Sequence, residues 1–236
     1  MGTTGGKVKR THARARLLLA ALLPALLALA TPARAITLAE AYALAGPQGE
    51  YDRYVVLETG VVYRGGLLIG QLLDPVTHTL VGPEGEDVCI VGNGAILDLQ
   101  GEQLSISYCS HRLDISDCVI LNGNIRYRGI NTYDYHEQPT GSVRYCTFYR
   151  PHDWGVRLQG AGEGILLERN LAVDAIDTGY DYIYTTGFSN SWLPTGANFA
   201  ASVQAGFYGF PMIRENWSYH TDPLANGDSL RHFVFL

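Results

Sequence analysis

A short pattern recurs along this chain: an aliphatic residue, two further residues, then Asn or Cys, then another apolar run. It reads Ile90-Val91-Gly92-Asn93, Ile115-Ser116-Asp117-Cys118, Val143-Arg144-Tyr145-Cys146, Leu167-Glu168-Arg169-Asn170 and Ile213-Arg214-Glu215-Asn216. The Asn/Cys positions lie 25, 28, 24 and 46 residues apart. The last interval is close to two units of about 23, so a degenerate unit is expected near residues 188–192. A unit of that length holds three short strands, and stacking the units lets each strand pair with its equivalents above and below. An Asn amide at a stacked position can bond to the amide one turn away and tolerates left-handed backbone. Cys is a small, easily buried substitute there. A sandwich of antiparallel sheets is the competing architecture, since short Gly-punctuated strands also build one.

The residues between the repeats agree with strands. Tyr54-Val55-Val56-Leu57, Leu67-Leu68-Ile69, Ile96-Leu97-Asp98-Leu99 and Leu104-Ser105-Ile106 alternate or run apolar, and Gly, Asn or Asp breaks each run. One segment reads differently. Thr37 and Glu40 form a capping box, Leu38, Tyr42 and Ala45 share a face, and Gly46-Pro47 follows. These predict a short amphipathic helix in need of a surface to cover.

Ahead of it, Lys7, Lys9, Arg10, Arg14 and Arg16 precede an apolar run from Leu17 to Ala30, and Ala33-Arg34-Ala35 supplies a small-x-small cleavage signature. Residues 1–35 therefore read as a secretory signal peptide, with a domain over 36–236. The protein is expected to be exported, secreted or periplasmic, with no membrane span after cleavage. Six of the 17 Lys and Arg, and none of the 23 Asp and Glu, fall within residues 1–35. Residues 36–236 then carry eleven basic groups against 23 acidic, a net of −12, and no Lys. That balance argues against nucleic acid as a partner. Export permits disulfides, yet Cys89, Cys109, Cys118 and Cys146 do not make a disulfide scaffold, and no CxxC spacing suggests zinc. No capping element is legible at residues 232–236, so that end is expected to be truncated, folded over or covered by another chain.

The segments 37–45, Val55-Val56-Leu57-Glu58-Thr59-Gly60-Val61-Val62-Tyr63 and Gly65-Gly66-Leu67-Leu68-Ile69 resemble the opening of pectate-lyase-like right-handed β-helix proteins. The resemblance extends over nearly the whole of residues 36–236. It implies an all-β, single-stranded right-handed parallel β-helix of roughly six coils with a short N-terminal capping helix, and an Asn ladder at the second turn of each coil. It is specific for fold and unspecific for chemistry, because the fold hosts lyases, hydrolases, esterases, epimerases and binding proteins.

Counting back from the ladder places residues 125–130, 155–158, 182–184 and 202–204 in one stacked sheet. Alternation then turns Ile125, Tyr127, Val156 and Leu158 inward and Arg126, Arg128 and Arg157 outward. The resemblance implies a substrate along the outside of that sheet. Five of the eleven arginines, Arg126, Arg128, Arg144, Arg150 and Arg157, crowd this stretch. A guanidinium fork matches a uronate carboxylate. The candidate catalytic residues are Arg128, Arg157, His152 and Asp153. Arg126, Tyr133, Asp134, His136 and Tyr180 are candidates for substrate binding. Asp174, Asp177 and Asp181 are candidate Ca²⁺ ligands.

Enzymes of the resembled family that use a Lys base are excluded, because residues 36–236 contain none. Polygalacturonase-type hydrolysis lacks its Gly-His-Gly and Arg-Ile-Lys motifs; Asn131-Thr132-Tyr133-Asp134 is a loose echo. Asp153 and Arg157 loosely match pectin-esterase chemistry. An Arg-based polysaccharide lyase with Ca²⁺ bridging to the substrate fits the residue types. The expected function is binding, with or without cleavage, of an acidic polysaccharide or cell-surface glycan. The alternative is a non-catalytic surface or adhesion scaffold, and its competing account of each arginine is an ordinary pairing with Asp or Glu. The sequon Asn216-Trp217-Ser218 is discounted because Asn216 sits on the ladder.

Overall fold

The computed structural model describes residues 36–131, 136–151, 154–174, 181–185, 189–193, 199–202, 211–219 and 233–235. Among them the protein is all-β with one helix, and most strands belong to three parallel sheets. Sheet I contains Arg53–Val56, Val88–Val91, Arg112–Ser116, Thr140–Arg144, Ile165–Glu168 and Met212–Arg214, in chain order across the sheet. Sheet II runs from Ile36–Thr37 through Val62–Arg64, Ile96–Asp98, Val119–Leu121, Thr147–Tyr149 and Leu171–Val173 to Trp217–Tyr219. Sheet III contains Leu67–Gly70, Gln103–Ser107, Asn124–Arg128, Val156–Gln159, Phe199–Ser202 and Phe233–Phe235. From Arg53 onward the chain visits sheets I, II and III in turn, and each visit adds one strand to the same edge.

The alternation seen in the sequence becomes columns of stacked side chains. Sheet I sends in Val55, Ile90, Ile115, Val143 and Leu167, and sheet II sends in Tyr63, Leu97, Ile120, Phe148 and Ala172. Sheet III contributes Ile69, Ile106, Tyr127 and Leu158. All are buried, and each aliphatic side chain so removed from water stabilises by about 1.5–3 kcal/mol. Tyr127 is wholly buried, and its hydroxyl donates across the interior to the Leu113 carbonyl of sheet I at 2.6 Å. Burial accordingly pushes that hydroxyl well above the usual tyrosine range.

Helix α1 spans Leu38–Leu44 and carries the expected capping box. Thr37 Oγ1 accepts from Glu40 N at 3.0 Å, and Glu40 Oε2 accepts from Thr37 N at 2.9 Å. Ala45, already extended, ends it one residue before Gly46. Leu38 is buried against the start of the stack, with Ala41 and Tyr42 packed on the same core.

The recurring Asn/Cys position is a real column, with two corrections. Val119, Thr147, Leu171 and Trp217 donate their N–H groups to the carbonyls of Ala95, Cys118, Cys146 and Asn170 at 2.8–2.9 Å. The column is therefore Ala95, Cys118, Cys146, Asn170 and Asn216. Asn93 is not in it. Four residues connect Val91 to Ile96 where the four later turns use two, so Asn93 is displaced to an exposed bend and donates to the Leu57 carbonyl at 3.1 Å. Nor are the column residues left-handed. That conformation falls one residue earlier, at Asp117, Tyr145, Arg169 and Glu215, with φ of 57, 55, 54 and 55°.

The second correction concerns the 46-residue interval. Asn170 donates from both its backbone N and Nδ2 to Asn216 Oδ1, each at 2.9 Å, so the two occupy adjacent turns. No degenerate unit separates them. Asp181–Thr185, which contains the expected sheet strand at 182–184, instead pairs antiparallel with Ser189–Leu193 as a lateral hairpin. Asn216 Nδ2 is committed to the Leu167 carbonyl at 2.9 Å.

Candidate functional site

Parallel register decides which outward residues of sheet III meet. Leu68, Ser105, Arg126 and Arg157 form one column; Gly70, Ser107, Arg128 and Gln159 form the next. Gln103 and Asn124 pair at the strand entries. Between these columns lies a groove of about 430 Å³ with Arg126, Arg128, Ser105, Ser107 and Gln103 in its floor and Glu102, Leu68 and Leu72 at its margins. Ser105 and Ser107 are buried and hydrogen-bonded to each other at 2.8 Å.

Each of the three arginines contacts rings or amides. Arg126 donates to the side-chain carbonyls of Gln103 and Gln159. Arg157, only 2 % exposed, stacks on the Trp154 ring with its guanidinium carbon 4.3 Å from the centroid. Arg128 lies 5.0 Å from the centroid of Tyr108, and among the described residues it makes no hydrogen bond or ion pair. Its Nε is shielded from water and has no partner. Burial pushes the Tyr108 hydroxyl up, and Arg128, Arg126 and Arg157 each pull it back, so all three charges reach the same ring.

Lateral hairpins flank this sheet. Leu72–Leu73 pairs with Leu80–Val81 directly after Leu67–Gly70, and Ile130–Asn131 pairs with His136–Glu137 directly after Asn124–Arg128. His136 is exposed on the second of these, and Glu137 accepts from Ser110 at 2.6 Å.

Of the expected site residues, the structure brings Arg126, Arg128 and Arg157 onto one face. Arg144 and Arg150, which share their stretch of sequence, lie elsewhere: Arg144 on sheet I, in register with Ser116 and Glu168, and Arg150 at the bend after Thr147–Tyr149. Tyr133, Asp134, His152, Asp153, Asp177 and Tyr180 lie outside the described residues, as does the side chain of Asp181. Asp174 sits at the left-handed end of Leu171–Val173 in sheet II. Gln103, Ser105, Ser107, Tyr108, Trp154 and Gln159 were missed as site residues. Only cross-strand register identifies them, although Leu104-Ser105-Ile106 carried the right alternation.

Three of the four arginines on the strands of sheet I, all but Arg144, pair with carboxylates. Arg112 pairs with Asp114 and, at 2.7 Å, with Glu50, and it lies over the Tyr51 ring. Asp114, 3 % exposed, also accepts from Tyr51 at 2.7 Å and from Ser142. Burial and that bond to Asp114 push the Tyr51 hydroxyl well up. Arg214 pairs with Glu168 at 2.8 Å and Arg53 with Glu86 at 2.6 Å. Near the same sheet, oxygens of Asp52 and Asp87 and a nitrogen of His111 lie within 4.8 Å of one another; they are already hydrogen-bonded among themselves and to the Arg112 N–H.

No protein-family model, curated protein or solved structure matches the chain. Its fold and groove are thus the basis for a functional reading.

Proposed function

We propose that the protein is an exported, pectate-lyase-like right-handed parallel β-helix of six coils that binds an acidic polysaccharide along the outer face of sheet III. Support for the coil comes from the fixed order in which the chain visits the three sheets and from the capping helix beside the first strands. The binding reading is carried by one observation. Arg128 presents a guanidinium on Tyr108, in a polar groove, and forms no ion pair among the described residues. A uronate carboxylate supplies that charge in bidentate geometry, and Arg126, on the same strand, extends the positive strip, with the buried Arg157 in register beside Arg126. Gln103, Ser105 and Ser107 offer hydroxyl and amide partners for the sugar hydroxyls.

For a lyase, Arg128 would neutralise the carboxylate while a base removes the α-proton; Ca²⁺ held by Asp174, Asp177 and Asp181 would assist. The test is affinity electrophoresis and ultraviolet absorbance on a polyuronate panel, with and without Ca²⁺. Retarded migration on acidic but not neutral polysaccharide, weakened in Arg128→Ala, is the expected result. A rise in absorbance reports the unsaturated product and assigns cleavage as well. No retardation, no absorbance change and no reducing ends would overturn the proposal.

A further inference from the structure

The column inside the turns between sheets I and II contains two consecutive cysteines. Cys118 and Cys146 are 2 % and 1 % exposed, and all four cysteines are thiols in this structure. Thr147 N donates to Cys118 O at 2.9 Å, so the two residues occupy equivalent positions on neighbouring turns. Their side chains take the same pose, with Cys118 Sγ 3.3 Å from the Ser116 carbonyl and Cys146 Sγ 3.3 Å from the Arg144 carbonyl. The neighbouring Cys146 thiol, then burial, raises the Cys118 thiol well above its ordinary range. On the far side, Cys118 Sγ lies 2.4 Å from where a side chain on Gly92 would begin, so the sulfur is wedged between Gly92 and Cys146. Stacked parallel positions are about 4.8 Å apart, inside the 4.4–6.8 Å range of roughly normal Cα separations for a disulfide. Cys89 faces outward from sheet I toward Asp114, and Cys109 packs against Gly70 and Gly85.

The geometry points to Cys118 and Cys146 as a disulfide pair that staples two adjacent turns and closes the loop carrying Asn124–Arg128. The reaction consumes a disulfide oxidant. The Cys118 and Cys146 thiols lose two protons and two electrons to form one S–S bond, and the oxidant's S–S bond is reduced to two thiols. Because both folded thiols are buried and the Cys118 thiol resists ionisation, the bond forms while the chain is still folding. Once made, it is shielded from reductants. This inference is independent of what the groove binds.

The test uses the full chain, denatured and reduced, then refolded in glutathione disulfide with glutathione and alkylated before peptide mass mapping. The expected product links the Cys118 and Cys146 peptides with loss of two hydrogens, while Cys89 and Cys109 carry the alkyl label. Refolding in reductant, which keeps both thiols reduced, should lower the thermal midpoint of this protein and leave that of Cys118→Ser unchanged. Alkylation of both Cys118 and Cys146, linkage of either to Cys89 or Cys109, or an equal response of Cys118→Ser to reductant would each overturn the assignment.

Discussion

Arginines stand on the outer faces of sheet I and sheet III, and they keep different company. On sheet I, Arg112 meets Asp114 and Glu50 and Arg214 meets Glu168, while Arg144 makes no ion pair among the described residues. Those of sheet III meet rings and amides: Arg128 on Tyr108, Arg157 on Trp154, Arg126 between Gln103 and Gln159. A guanidinium lying flat on an aromatic ring keeps its donor edge directed elsewhere. One that grips a carboxylate has used it. Arg112 and Arg214 thus serve cohesion while Arg128 presents its charge, and substitutions should separate the two roles.

The largest effect should come from Asp114→Ala. It strands the Arg112 guanidinium and the hydroxyls of Tyr51 and Ser142 around a buried site, and removing one partner of a buried ion pair costs about 3–5 kcal/mol. Urea denaturation should show this loss while retardation by polyuronate is unchanged. A loss of retardation in folded Asp114→Ala would break the division of labour.

Arg128→Ala should do the reverse. Polyuronate affinity is expected to fall about tenfold or more, some 1.4 kcal/mol, with stability within about 0.5 kcal/mol of the parent. Arg128→Lys keeps the charge without the fork and should recover only part of the affinity. Added salt should weaken binding in the parent more than in Arg128→Ala.

A smaller effect is expected on the alkaline side. The Tyr51 hydroxyl is raised by burial and by its bond to Asp114, and Tyr42 is raised to about 12 by burial and its bond to Glu86. In the unfolded chain a tyrosine ionises near ~10. The protonated form is the one favoured by folding, so this stabilisation is complete below about pH 10 and is lost as pH rises above it. Urea midpoints measured from neutral to strongly alkaline pH should fall, and Tyr51→Phe should flatten the fall while costing on the order of 1 kcal/mol near neutrality. Smallest of all, Glu50→Gln removes only the exposed arm of the Arg112 cluster and should change stability by less than about 0.5 kcal/mol.

Much of the scaffold was legible in the chain because local physics dictates it. Thr37 and Glu40 cap the helix through contacts three residues apart, and alternation in Ile125-Arg126-Tyr127-Arg128 survives in any half-buried strand. The column at Cys118, Cys146, Asn170 and Asn216 was legible because its turns keep one length. Asn93 misled because an Asn in a longer exposed bend looks the same as one on the column. Residues 182–184 misled because alternating Tyr and Ile suit a lateral hairpin as well as a stacked sheet. The neighbours of Arg128 were illegible for a further reason: Tyr108 and Arg128 lie 20 residues apart, and only the pairing register brings them together.

The interval between Asn170 and Asn216 has a consequence for how such a chain can grow. Bringing together the ends of a segment twice as long costs only about 0.6 kcal/mol more in loop-closure entropy. Because the strands on either side stack directly on one another, added sequence need not disturb a single rung. A stacked scaffold can therefore accept a lateral hairpin at small thermodynamic penalty, and the Asp181–Leu193 excursion lies where new recognition surface is cheapest to add during evolution.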